Sequence, residues 1–179
     1  MNLLWLSKQQ AQTIVRLATE SKPAEVCGLL VGNREQVREV IPIQNIAINP
    51  SHRYVMDSSE LAGQLSIMSG VGQDLIGFYH SHPQGDPILS ATDWHESLWP
   101  GYVYLVVGLK RKQAGLAAWE IRAGKVLPVR LHIGDDSPED MEKPLTNPQR
   151  IAIIVGGIIA LMVMLALSLS LLPPAPSIP

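Results

Sequence analysis

A chain of 179 residues with a formal net charge of −2 is sized for one domain plus an appendage and carries no basic field for nucleic acid. Aromatic residues make up 5%, too few for a base-stacking surface. The single Cys27 excludes an internal disulfide and a thiolate zinc cluster, and a lone thiol suits a reducing compartment.

Leu3-Leu4-Trp5-Leu6 is an apolar patch too short for a signal peptide. Ser7-Lys8-Gln9-Gln10 resembles a capping box, and Ala11, Ile14, Val15 and Ala18 share one face of the helix it opens. That helix is expected to end near Ser21, because Pro23 prevents continuation. Glu25 to Gly32 reads as a buried strand with an acid at its start. Asn33-Arg34 marks a hairpin turn, and Gln36 to Gln44 a second strand that Pro42 makes an edge or ends early. Tyr54-Val55-Met56 predicts a short strand, and Asp57 caps a helix from Ser58 to Met68, with Glu60 completing the box.

After Gly70-Val71-Gly72, the apolar run from Leu75 to Tyr79 predicts a buried strand. A helix begun at Ser90 runs to about Leu98, where Pro100-Gly101 stops it. Tyr102 to Leu109 predicts a central strand, and Ala117 to Ile121 with Lys125 to Ile133 a hairpin around Ala123-Gly124. The class is α+β, a mostly antiparallel sheet flanked by a few helices, occupying residues 1–133.

Residues 134–150 hold Asp135, Asp136, Glu139, Asp140 and Glu142 among Pro138, Pro144 and Pro148, the composition of a solvated linker. Residues 151–172 are apolar and uncharged. As a helix they span about 33 Å at ~1.5 Å per residue, enough for a bilayer core of about 30 Å. Gly156 and Ala160 form a small-xxx-small pair, a weak signal for helix pairing. Lys143 and Arg150 precede the span, and the short tail 173–179 carries no charge. Positive-inside therefore predicts a single-pass, tail-anchored protein with residues before 150 on the cytoplasmic side.

The residues with metal and acid–base chemistry cluster after the strand that begins at Leu75. His80-Ser81-His82-Pro83 is followed by a Pro/Gly loop, then Ser90 and Asp93. Alternate strand residues share a face, so His80 and His82 point the same way. Pro83 ends the ladder, and Ser90 is a helix N-cap with Asp93 three residues on. A loop that folds the helix start over the strand end would bring Asp93 beside the two imidazoles. Two His nitrogens, one carboxylate and an open position describe a catalytic zinc site. Taken alone, a Ser-x-x-Asp pair is an ordinary capping device and a His pair is ordinary surface chemistry; the conjunction is what points to a site.

Glu25 in Pro-Ala-Glu-Val-Cys-Gly-Leu-Leu, together with His80, His82, Ser90 and Asp93, resembles the JAMM (MPN+) metalloprotease family across roughly residues 5–133, with every motif position present. The compact chain is more similar to the short prokaryotic members than to the eukaryotic deubiquitinases. The resemblance implies that His80, His82 and Asp93 bind one zinc ion, that Glu25 holds the metal's water and acts as general base and acid, and that Ser90 stabilises the oxyanion. One oxyanion donor contributes roughly 3 kcal/mol.

The resemblance further implies hydrolysis of a peptide or isopeptide bond after the C-terminal tail of a ubiquitin-like or sulfur-carrier protein. The tail would enter extended and pair with an exposed sheet edge. The alternative is a non-catalytic membrane-tethered MPN scaffold, against which stands the complete motif. A zinc deaminase is disfavoured because no Pro-Cys-x-x-Cys signature is present.

Other residues receive structural readings. Cys27 is a packed small hydrophobe, Gly77 permits close packing under the site, and Asp86 is a solvated loop acid rather than a fourth ligand. Trp94 and Trp99 pack the helix on the sheet or line a substrate groove. His52, His95 and His132 lack ligand spacing to any acid.

Overall fold

The computed structural model describes residues 2–33, 35–136 and 147–170. The chain divides into two units, Met1–Pro138 and Glu139–Pro179. In the first, seven strands form a ring in the order β1-β3-β2-β4-β5-β6-β7. They are β1 (Leu3–Leu6), β2 (Cys27–Asn33), β3 (Gln36–Ile43), β4 (Asp74–His82), β5 (Val103–Gly108), β6 (Gly115–Arg122) and β7 (Lys125–Ile133). Three helices accompany them: α1 (Lys8–Glu20), α2 (Ser58–Gly70) and α3 (Ala91–His95). The arrangement is the α+β class read from the sequence.

The N-terminal apolar patch is a strand, not merely a patch. β1 lies parallel to β7, Leu3 opposite Arg130 and Leu6 opposite Ile133, and touches β3 at Trp5↔Gln36. Leu4 and Leu6 are fully buried. Four residues carry too little periodicity to announce a strand, and pairing more than a hundred residues away is invisible locally. Past Gln36 the outer edge of β3 has no strand partner among the described residues, which tolerates Pro42 and its missing N–H.

β4 lies between β2, antiparallel, and β5, parallel, and is buried from Ile76 through Ser81. That double pairing explains its nearly unbroken apolar run. Adjacent residues feed opposite cores. Leu30, Tyr79 and Leu105 join Leu4, Leu6 and Ile14 of α1. Leu29, Phe78, Tyr104 and Val106 join Met68 of α2. Gly77 is required where β4 meets β5, because a Cβ there would collide with the carbonyl oxygen of Val103.

Two expected elements differ. The strand over Tyr54–Met56 is reduced to a single bridge, Asn45↔Met56. The Asn45 side chain takes the place of a ladder: its Oδ1 accepts from the N–H groups of Ala47 and Val55, and its Nδ2 donates to the carbonyls of Glu25 and Arg53. α3 stops at His95 rather than near Leu98. Beyond it, Tyr104 donates its hydroxyl to the carbonyl of Trp99 and contacts Ser97, drawing the chain back to the sheet before Pro100 is reached.

The second unit contains α4 (Asn147–Ser170), which at ~1.5 Å per residue is about 36 Å long. Its window Ile151–Ser168 has mean hydropathy 2.8 and none of it is buried, so it is long and apolar enough to cross a membrane. The hairpin residue Arg34, the linker from 137 to 146, residues 171–172 and the tail 173–179 lie outside the described residues.

Candidate active site

β4 delivers His80 and His82 on one face, continuing the row begun by Phe78. The antiparallel register sets Cys27 of β2 opposite His80. Continuing that register two residues brings Glu25 level with His82. The strand end is tied there: Ser81 N donates to the carbonyl of Val26, and Val26 N donates to Ser81 Oγ, both at 3.0 Å. The backbone of Glu25 is held from the other side, its N–H donating to the carbonyl of Pro50 and its carbonyl accepting from Asn45.

The Pro/Gly loop between His82 and Ser90 is anchored to the residues that follow β5 and to the middle of β6. Leu109 N donates to the carbonyl of His82 (3.0 Å), Lys110 N to that of Gly85 (3.2 Å) and Trp119 Nε1 to that of Pro87 (3.0 Å). The loop returns the chain so that α3 begins beside His82. Ser90 caps α3 as a full box: its Oγ accepts from Asp93 N at 3.1 Å, while its own N–H and hydroxyl both donate to Asp93 Oδ2 at 2.7 Å.

The result is a triangle of side-chain atoms. His80 Nε2 and His82 Nε2 are 3.1 Å apart, and they lie 3.4 Å and 3.2 Å from Asp93 Oδ2. Ligand atoms ~2.0–2.1 Å from a tetrahedral ion stand about 3.3–3.4 Å from one another, so these separations suit one shared metal ion. The donor chemistry agrees. The carbonyl of Asp86 faces His82 Nδ1 at 3.1 Å and can only accept, so neutral His82 keeps its proton on Nδ1 and turns the Nε2 lone pair inward. Asp93 Oδ2 likewise offers lone pairs. With His80 Nε2 beside them, a bound cation would satisfy these inward-facing lone pairs together.

Electrostatics sharpen the picture. Burial pushes His80 toward the neutral form, against the opposing pull of Asp93. Burial also opposes charge on His82, but hydrogen bonding to Asp93 wins and raises its pKa above 6.5. Asp93 pays a burial penalty, yet the bonds from His80, His82 and Ser90 hold its carboxyl well below the usual carboxylate range. Glu25, 7% exposed, is raised by burial to about 7, with His82 lowering and Asp93 raising it.

Of the five residues singled out from sequence, His80, His82 and Asp93 converge, with Ser90 bonded directly to Asp93. Glu25 stands at the same strand end and shares an electrostatic environment with His82 and Asp93. The Ser90 hydroxyl donates to Asp93 Oδ2. Asp86 ion-pairs through its carboxylate with Lys110 (3.2 Å) and Arg111 (3.6 Å), consistent with a loop acid. Cys27 is buried, its thiol pushed up by that burial to about 12, as suits a packed residue. Trp99 packs on Phe78, whereas Trp94 is 37% exposed and stacks on His95, so it does not fasten the helix to the sheet.

Sequence reading missed Tyr54, whose ring stacks on His80 at 4.5 Å and 24°. It also missed Asn45, the clamp on Glu25. An aromatic at the end of a long loop, and an Asn with no capping context, carry no signal specific to a site.

A ring of mixed strands presenting a His-x-His strand end, a capped Asp and a buried Glu defines a JAB-type domain. Residues 7–139 match the family described as prokaryotic homologs of the JAB domain, and the chain belongs to that family. It is 44% identical over 91 residues to a desampylase of Haloferax volcanii, an overlap covering 50% of this chain and 66% of that one. It is 38% identical over 77 residues to a probable TtuB-protein conjugate cleaving protease of Thermus thermophilus, covering 43% of this chain and 51% of the other. The matches thus span just under two thirds and about half of those curated relatives. A solution structure of a protein from Desulfitobacterium hafniense superposes with a TM-score of 0.68 at 25% identity, covering 79% of this chain and 99% of that one.

Proposed function

We propose that the chain is a zinc-dependent isopeptidase or peptidase that cuts after the C-terminal tail of a ubiquitin-like or sulfur-carrier protein, and that α4 holds it to a membrane. The observation that carries the reading is the His80–His82–Asp93 triangle with buried Glu25 beside it. The relatives' names, a desampylase and a protease for TtuB-protein conjugates, support conjugate cleavage.

Zinc held by His80, His82 and Asp93 would polarise the amide carbonyl and bring the pKa of water near 7. Glu25, with its own pKa about 7, is suited to accept a proton from the attacking water and return it to the departing amine. Ser90 has two tasks. Its N–H keeps Asp93 oriented, while its hydroxyl can turn from Asp93 to donate to the oxyanion that develops on the carbonyl. The substrate tail would lie extended across the strand end, where the outer edge of β3 beyond Val37, which has no strand partner among the described residues, would offer backbone partners.

Metal binding should depend on pH with a definite sign. The pKa of His82 is raised above 6.5 in the metal-free protein, so a proton competes with the metal for Nε2. Zinc affinity is expected to fall as pH drops through 6.5 and below, with proton release on binding. Calorimetry in buffers of different ionisation enthalpy measures that release; binding with no proton release at pH 6 contradicts the role of His82.

The anchor is tested by fractionation. The chain ending at Arg150 should leave the membrane fraction that the full chain occupies, and its retention there would contradict anchoring by α4. The substrate class is tested by capture on full-length Glu25→Gln protein followed by mass spectrometry. Ubiquitin-like or sulfur-carrier proteins and their conjugates are expected, and their absence from the captured set would overturn the assignment.

A further inference from the structure

Residues 44–57 form a loop closed at its own ends. Ile46 N donates to the carbonyl of Val55 at 2.8 Å, and Asp57 N to that of Gln44 at 3.0 Å. The Asn45 side chain completes the closure. A carboxamide has two N–H donors and an oxygen with two lone pairs, and here all four are used. Oδ1 faces the N–H groups of Ala47 and Val55, both at 3.0 Å, and Nδ2 faces the carbonyls of Glu25 (2.9 Å) and Arg53 (3.2 Å). Arg53 and Val55 flank Tyr54, so one side chain pins the backbone on both sides of that ring.

The loop meets the site at two points. It grips the backbone of Glu25, whose N–H donates to the carbonyl of Pro50 at 2.6 Å and whose own carbonyl accepts from Asn45. It also lays Tyr54 on His80, with ring centroids 4.5 Å apart and planes 24° from parallel.

The environment of His80 gives that stack its meaning. A ligating imidazole is ordinarily oriented by a hydrogen bond from its other ring nitrogen. His82 follows this pattern, its Nδ1 facing the carbonyl of Asp86 at 3.1 Å. His80 does not: its side chain is fully buried, and Nδ1 has no hydrogen-bond partner among the described residues. A stacked aromatic face restricts rotation of the imidazole plane where no hydrogen bond does.

We propose that Tyr54 and Asn45 are positioning residues of the site: Tyr54 orients His80 by stacking, and Asn45 holds Tyr54 and Glu25 in one frame. The proposal rests on the zinc-hydrolase reading above and assigns the support of two of its groups to a single loop.

The test uses the full-length protein in detergent. Competition with a chromophoric chelator measures zinc affinity, and the visible spectrum of the cobalt(II)-loaded protein reports ligand geometry. Tyr54→Leu is expected to weaken zinc binding about 10–100-fold and to shift the cobalt spectrum, whereas Tyr54→Phe, which keeps the stacked ring, matches the parent in both. Asn45→Asp keeps the two acceptor bonds and loses both donor bonds. It should weaken zinc through Tyr54, so Asn45→Asp combined with Tyr54→Leu should bind no more weakly than Tyr54→Leu alone. At saturating zinc, with a lysine isopeptide conjugate of a ubiquitin-like protein as substrate, Asn45→Asp should lower kcat about tenfold or more by displacing Glu25, with little change in KM. Asn45→Ser adds no charge, is too short to span the four partners, and should behave alike; it covers the case in which the Asp variant does not fold.

Unchanged zinc affinity and cobalt spectrum in Tyr54→Leu overturn the role of Tyr54. Additive losses in the double variant, or the parent's kcat in the folded Asn45 variants, overturn that of Asn45. If the metal pattern appears but even the parent leaves the conjugate uncut, the support of His80 stands, and the hydrolytic reading falls together with the Glu25 half of the proposal. A parent that binds no zinc overturns both.

Discussion

Glu25→Gln is expected to bind stoichiometric zinc and to turn over about 10²–10⁴-fold more slowly than the parent chain. The substitution preserves the shape of a 7% exposed side chain and leaves its backbone bonds to Pro50 and Asn45 in place. What it removes is a group able to take and return a proton near pH 7, since an amide does neither. Metal analysis alongside single-turnover kinetics separates the two effects. Retained zinc with unchanged turnover would assign proton transfer to another residue. Lost zinc would make Glu25 part of metal binding instead.

The second large effect concerns the metal itself. His80→Ala combined with His82→Ala is expected to abolish stoichiometric zinc and, with it, turnover. The double variant leaves Asp93 as the remaining corner of the triangle, bonded only by Ser90 among its present side-chain partners. One carboxylate holds zinc far more weakly than three ligands converging on one point. His80 is fully buried against Tyr54, so circular dichroism must accompany the metal analysis to separate lost ligands from a lost fold. Full zinc retention in a folded double variant would remove the site.

Much of this centre was legible because its parts obey local rules. The two-residue period of a strand puts His80 and His82 on one face, and the three-residue spacing of a capping box fixes Asp93 against Ser90. Glu25 obeys no local rule. Its place depends on β2 meeting β4 in the register that sets Cys27 against His80, a long-range pairing that spacing alone does not determine. Tyr54 was hidden for the same reason, since it reaches His80 from a loop shaped by one Asn side chain. The early stop of α3 reflects tertiary bonding to Tyr104 overriding a helix signal that Pro100 would otherwise have ended. Elements defined by their own residues were read closely, and those defined by distant partners were not.

The same division bears on how the molecule is made. β1 precedes every other strand of the ring in the chain, but its main partner, β7, ends at Ile133. The ring therefore cannot close until almost all of the first unit has left the ribosome, and the apolar helix at Asn147 follows close behind. Closing so long a loop makes assembly slow relative to a helical bundle of equal size. Completion of the ring and synthesis of a helix long and apolar enough to cross a membrane therefore fall close together in time.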